Sequence, residues 1–224
     1  FLGIFTMITN YGFPYSASRQ IAIARDSPEK VSEIFSAVST LKFLFMLLSF
    51  VILYILTIFF SKFNQERVLY LWSFGVVAGD VLFPIWLFQG LEQMRYISAI
   101  NLSARAVILL LTIVFVRTPE DYIYVPLVNS VGQVFIGIAS IFIAHHKLNV
   151  KFTLPKVHHL KFQMKEGWNT FISGAAINFY TQSRVFIFSL FVSKTLVGYY
   201  SLAQRVAGMF QVYPIATLLN ATLP

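Results

Sequence analysis

Long apolar runs separated by short polar connections set the pattern of this chain. Seven runs cover residues 1–24, 34–60, 68–90, 98–116, 122–144, 168–192 and 197–224. A helix of roughly 20 mainly apolar residues crosses a bilayer, and these runs reach or approach that length. Lipid offers nothing to hydrogen-bond an open backbone, so spanning elements are helices or closed barrels. The period-2 alternation of barrel strands does not appear. The pattern predicts an all-α, polytopic transmembrane helix bundle. Because the first and last runs look clipped, at Phe1 and Pro224, the expectation is a fragment of a longer protein.

Composition supports the membrane reading. The chain is 57% hydrophobic and 12% charged, with 24 phenylalanines and a mean hydropathy of +0.71. A soluble domain carries about twice that share of charge. The net charge of +8 raises nucleic acid as a partner, but the basic residues sit in the connections between apolar runs, where they orient a membrane protein. No nucleic-acid partner is expected. There is no cysteine, which excludes disulfides, zinc-thiolate sites and thiol catalysis.

The connections alternate in charge. The first, third and fifth, with their flanks, carry Arg19, Arg25, Lys30, Arg95, Arg105 and five lysines from Lys147 to Lys165, ten basic residues in all. The others hold Lys62, Arg67, Arg117 and Lys194. The positive-inside rule places the basic set in the cytoplasm. The connection 145–167 divides the chain into an N-terminal bundle, 1–144, and the start of a second bundle, 168–224. Its lysines recur every four or five residues, as suits an amphipathic stretch on an anionic leaflet.

Several runs carry polar residues at helical spacing. Gly12, Ser16 and Arg19 share a face, as do Ser39, Lys42 and Ser49, and Ser173, Tyr180, Thr181 and Arg184. For Ser, Gly, Thr and Asn the plain reading is helix packing. Cations fit that reading less well, because a charge near the centre of a span costs at least about 2.5–3.5 kcal/mol. Arg184 is the only charged residue between Trp168 and Val192. A sealed ion pair with Asp80 is one account of it; a water-filled cavity lined by cations is the other. Arg19, Lys42 and Arg205 fall in or at the ends of other runs. Such a cavity suits an anionic cargo, since the guanidinium fork gives phosphate two parallel hydrogen bonds. Asp80, the lone acid well inside a run, is a candidate for proton coupling or for an ion pair. Pro84, one turn later, is placed to bend its helix.

Other signals are weak. His145–His146 and His158–His159 are adjacent pairs, which on a helix point about 100° apart, so no metal site is expected. Asn101 and Asn220 begin sequons at the frequency of chance. No Gly-rich phosphate loop, Ser/His/Asp set or H-E-x-x-H motif occurs, so an enzyme is not expected, nor is a cofactor.

Three stretches together carry a resemblance: "YGFPYSASRQIAIARDSPEKVSEIFSAV" (11–38), "LFPIWLFQGLEQMRYISAINLSAR" (82–105) and "LKFQMKEGWNTFISGAAINFYTQSRVFIFSLFVSKTLVGYYSLAQRV" (160–206). In order and spacing they resemble the polysaccharide transporter family of the MOP flippase superfamily, the Wzx (RfbX) type O-antigen repeat-unit flippases. The resemblance implies a MOP/MATE-like bundle of twelve or more helices, about seven of them present here as helices two to eight. It implies a multi-pass protein of the bacterial inner membrane that moves undecaprenyl-pyrophosphate-linked oligosaccharide between leaflets. Its partners would be that lipid-linked cargo, membrane lipids and other polysaccharide-assembly membrane proteins. The family's cavity cations would map onto Arg19, Lys42, Arg184 and Arg205. Two alternatives stand beside this reading. A MATE-like small-molecule exporter would show more intramembrane acids, and a membrane-embedded polymerase or glycosyltransferase would need catalytic acids and a large loop.

Overall fold

The computed structural model describes residues 2–192, 195–204 and 206–208, with side chains outside 61–62, 178–187 and 189–190. Every regular element among the described residues is helical, and the fold is an all-α, polytopic membrane helix bundle. The helices are α1 (Leu2–Asn10), α2 (Phe13–Ala24), α3 (Pro28–Phe59), α4 (Ser61–Asn64), α5 (Arg67–Leu82), α6 (Ile85–Gly90), α7 (Met94–Phe115), α8 (Tyr124–Lys147) and α9 (Val157–Phe191). A 3-10 turn, Pro119–Ile123, leads into α8. Among the described residues, four segments are long and apolar enough to span a bilayer: Pro28–Phe59, Arg67–Gly90, Met94–Phe115 and Pro119–Lys147.

The apolar runs and the helices differ in three places, each for a physical reason. Run 1–24 is two helices, not one. Tyr11 (φ 41°) and Gly12 (φ 80°) are both left-handed, which ends α1 and starts α2 in a new direction. Run 68–90 breaks at Phe83–Pro84, because proline has no N–H to continue the ladder. The connection 145–167 is extended only in part. Lys147 still belongs to α8, and α9 starts at Val157, eleven residues ahead of the apolar run it leads into.

The chain divides into two compact units, Phe1–Gly174 and Ala175–Pro224. In the first, Phe13, Ala17 and Ile21 of α2 pack with Val31, Phe35, Val38 and Leu41 of α3 and with Trp86 and Leu87 of α6. A second cluster joins Phe5 of α1, Leu53 of α3, and Phe74 and Val77 of α5. The helix α5 lies against α8 through small residues. A Cβ on Gly75 would come within 2.6 Å of Ser130, and one on Gly79 within 2.3 Å of the Gln133 backbone. That close approach is the packing mode of membrane helices, in which small residues let backbones meet. In the second unit helical structure continues at 195–204 and 206–208, and the Phe188 and Tyr200 rings lie 4.8 Å apart.

Helix α3 has an apolar outer face and a mixed inner one, where polar residues lie among the core side chains Val31, Phe35, Val38, Leu41 and Leu53. Leu44, Leu48, Val51, Ile55 and Ile58 are exposed at helical spacing, while Lys42, Ser49 and Thr57 are buried. An apolar outer face suits lipid, and polar residues kept inside it call for partners within the bundle.

Candidate functional site

One of those inward polar residues, Lys42, meets partners from two other helices. Asn10 is the last residue of α1, Lys42 lies in the middle of α3, and Asp80 lies near the end of α5. The Lys42 ammonium donates to Asn10 Oδ1 at 3.0 Å and to the Asp80 carbonyl at 3.1 Å. It lies 3.8 Å from Asp80 Oδ2, which in turn accepts from Asn10 Nδ2 at 3.0 Å. Three helices are thereby pinned at one point.

The position of Pro84 explains the lysine. In an unbroken helix the carbonyl of residue 80 accepts the N–H of residue 84, and proline has none. The Asp80 carbonyl keeps a 3.3 Å bond from the Phe83 N–H, and the Lys42 ammonium takes the place of the missing donor. One side chain thus serves both the orphaned carbonyl and the carboxylate of the same residue. On the facing helix, Asn10 stands directly before the Tyr11–Gly12 break.

Burial is unequal across the pair. Lys42 is 1% exposed, whereas the Asp80 side chain is 38% exposed. An ionised pair inside a span is costly to desolvate, so its retention there is a better sign of function than of stability. The carboxylate is partly open while the ammonium is sealed inside the bundle. Two turns beyond Lys42 on the same face, the buried Ser49 hydroxyl has no hydrogen-bond partner among the described residues.

The break that presents Asn10 is clamped by the first part of α9. A Cβ on Gly12 would lie 2.7 Å from the Gly167 carbonyl, so the two backbones are in contact. The Tyr11 ring stacks on Phe171 at 4.7 Å. Towards the start of α9, Gln20 and Gln163 exchange amide hydrogen bonds of 3.2 and 2.7 Å, with Gln163 buried.

The sequence-derived candidates are distributed as follows. Lys42 and Asp80 come together, so among the described residues the cation beside Asp80 is Lys42. Its ammonium donates to Asn10 Oδ1 and to the Asp80 carbonyl. Arg19 is exposed on α2, opposite the buried stripe Phe13, Ala17 and Ile21. The side chain of Arg184 and all of Arg205 lie outside the described residues. The sequence reading did not single out Asn10, Gln20 or Gln163. A signal for the first was present, an amide side chain immediately before Tyr-Gly in an apolar run. Among the described residues no group of three or more His, Cys, Asp or Glu could hold a metal ion.

The whole chain, residues 1–224, matches the family model described as "Polysaccharide biosynthesis protein". The chain belongs to this family. Two relatives carry the name "Putative O-antigen transporter". The one from Escherichia coli (strain K12) is 30% identical over 206 residues, covering 92% of this chain and 49% of the relative. The one from Shigella dysenteriae is 25% identical over 205 residues, covering 91% of this chain and 51% of the relative. The chain thus spans about half the length of these family members. No solved structure matches it significantly.

Proposed function

We propose that this chain is part of a flippase that carries undecaprenyl-pyrophosphate-linked oligosaccharide repeat units from the cytoplasmic to the periplasmic leaflet of the bacterial inner membrane. The observation that carries the reading is the likeness, over nine-tenths of the chain, to a relative named as an O-antigen transporter. The ionisable cluster inside the bundle supports it, as a feature suited to a transporter rather than an anchor.

Transport would proceed by alternating access coupled to an ion gradient, without covalent chemistry. The pyrophosphate would sit on arginine forks, with Arg184 and Arg205 as candidate contacts and Arg19 at the approach from the cytoplasm. Lys42 joins them once it leaves its cluster. Asp80 would be the coupling group. Its protonation removes the counter-charge of a buried ammonium and loosens the pin between α1, α3 and α5.

The test is complementation of a strain lacking its own repeat-unit transporter, with the full-length protein. Wild type restores surface polysaccharide and clears lipid-linked repeat units, followed by mass spectrometry. Arg184→Ala abolishes both while the protein stays in the membrane, and Arg184→Lys restores part. Failure of the wild type to clear these intermediates in its native background would refute the cargo; full activity of Arg184→Ala would refute that contact.

A further inference from the structure

We propose that the extended segment 148–156, between α8 and α9, is an interfacial anchor that binds anionic phospholipid of the cytoplasmic leaflet. The segment is neither a free loop nor the amphipathic helix that its lysine spacing suggests. It is strapped along the first turns of α3: the Lys151 N–H donates to Ser32 Oγ at 3.1 Å and the Thr153 N–H to Ser36 Oγ at 2.8 Å. Ser36 Oγ is itself fixed by donating to the Ser32 carbonyl at 2.7 Å.

Those two bonds give the strap a depth. Counted back from Phe59, the 20 residues that cross about 30 Å of hydrocarbon begin at Thr40. Ser36 then lies about 6 Å outside the hydrocarbon edge and Ser32 about 12 Å outside it. The polar headgroup layer is about 5–8 Å thick on each side. From Lys151 to Thr153 the strap therefore descends towards the bilayer and ends in the headgroup layer.

What the strap shows at that depth is apolar side chains framed by cations. Phe152 is 58% exposed and Leu154, just past the lower hydrogen bond, is 91% exposed. Lys151 and Lys156 flank them, and Lys161 is exposed one turn into α9. An aromatic and a leucine framed by lysines match the acyl boundary below and lipid phosphates around it. The groove behind the strap carries Glu29 and Glu33 on α3, which face Lys151, Lys156 and His159. The outer rim stays basic, with Lys147 and Lys161 also exposed. This placement rests on the membrane orientation and not on the cargo.

This chain has no cysteine, so with any cysteine elsewhere in the full-length protein replaced a direct test is open. A fluorophore is attached at Leu154→Cys in the full-length protein, reconstituted in phosphatidylcholine vesicles with and without phosphatidylglycerol. Lys30→Cys, exposed on α3 about 15 Å outside the hydrocarbon edge, is the aqueous reference. The label at 154 is expected to be quenched by a lipid-borne quencher and shielded from iodide, more so with phosphatidylglycerol. Neutralising Lys151, Lys156 or Lys161 to Gln should lower its embedded-to-exposed ratio about fivefold per lysine in the anionic vesicles only. Iodide access equal to that at 30 in both vesicles would overturn the anchor. Lipid quenching indifferent to phosphatidylglycerol and to the lysines would overturn its anionic partner. Shielding from both quenchers would assign the face to a second copy of the protein instead.

Discussion

Removal of Asp80 tests the cluster most sharply, because its two ions are so differently buried. Asp80→Ala leaves the Lys42 ammonium, 1% exposed, with neutral oxygens alone for partners. Breaking a buried pair in this way costs about 3–5 kcal/mol. Here the carboxylate is 38% exposed and 3.8 Å from the nitrogen, so water already screens the pair and the lower end applies, about 3 kcal/mol. Lys42→Met keeps the stem and leaves a carboxylate that still accepts from Asn10 and reaches water; the cost is about 1–2 kcal/mol. The double variant removes both charges and is expected to be more stable than Asp80→Ala alone by about 2 kcal/mol.

Thermal unfolding of the purified protein, followed by tryptophan fluorescence, reads these differences. At about 2–4 °C per kcal/mol, Asp80→Ala lowers the apparent Tm by about 6–12 °C, and the second substitution returns part of that loss. Complementation of polysaccharide export separates structure from coupling, since the double variant regains stability and stays inactive if Asp80 carries the proton. A double variant less stable than either single one, by the full amount of both, would refute the coupled ion pair.

Three further outcomes follow from the packing. Gly79→Ala places a methyl 2.3 Å from the Gln133 backbone, which cannot yield as a side chain would; the loss is about 3 kcal/mol, read as lowered Tm and reduced membrane abundance. Gln20→Leu strands the buried amide of Gln163 and costs about 2–3 kcal/mol, whereas Gln163→Leu leaves the half-buried Gln20 able to reach water and costs about 1 kcal/mol; unfolding that ranks them the other way would contradict the burial argument. Gly12→Ala combines a φ of 80° with a contact at 2.7 Å to the Gly167 carbonyl, and about 2 kcal/mol of destabilisation is expected in the same assay.

Hydropathy located the spans well wherever a run was one unbroken helix, as in α3, α7 and α8. It carries no information on backbone dihedrals, so the Tyr11–Gly12 break inside an apolar run was invisible to it. Only the proline at 84 announced its break, because the residue type itself lacks a donor. The early start of α9 was missed for the opposite reason. Residues 157–166 are polar enough to read as a connection, yet they are helical and bury Leu160 and Gln163 against the bundle in whole or in part. The strap on Ser32 and Ser36 depends on partners more than a hundred residues apart, which no local pattern encodes.

The polar cluster shows how far local reading can go. Charged residues inside apolar runs flag themselves, so Lys42 and Asp80 were both visible, but the choice of partner was not. The pairing turns on a carbonyl. Pro84 withholds an N–H from residue 80, a donor must come from elsewhere, and the unbroken helix α3 supplies one at a fixed height through Lys42. An acid followed four residues later by proline therefore presents a carboxylate and a carbonyl short of its i+4 donor on the same turn, a combination that an ammonium can serve with both charge and hydrogen bond. Arginine's fork is shaped for two coplanar oxygens and gains less from that geometry. On this argument the lysine belongs, in the closed cluster, to the bundle's own polar junction.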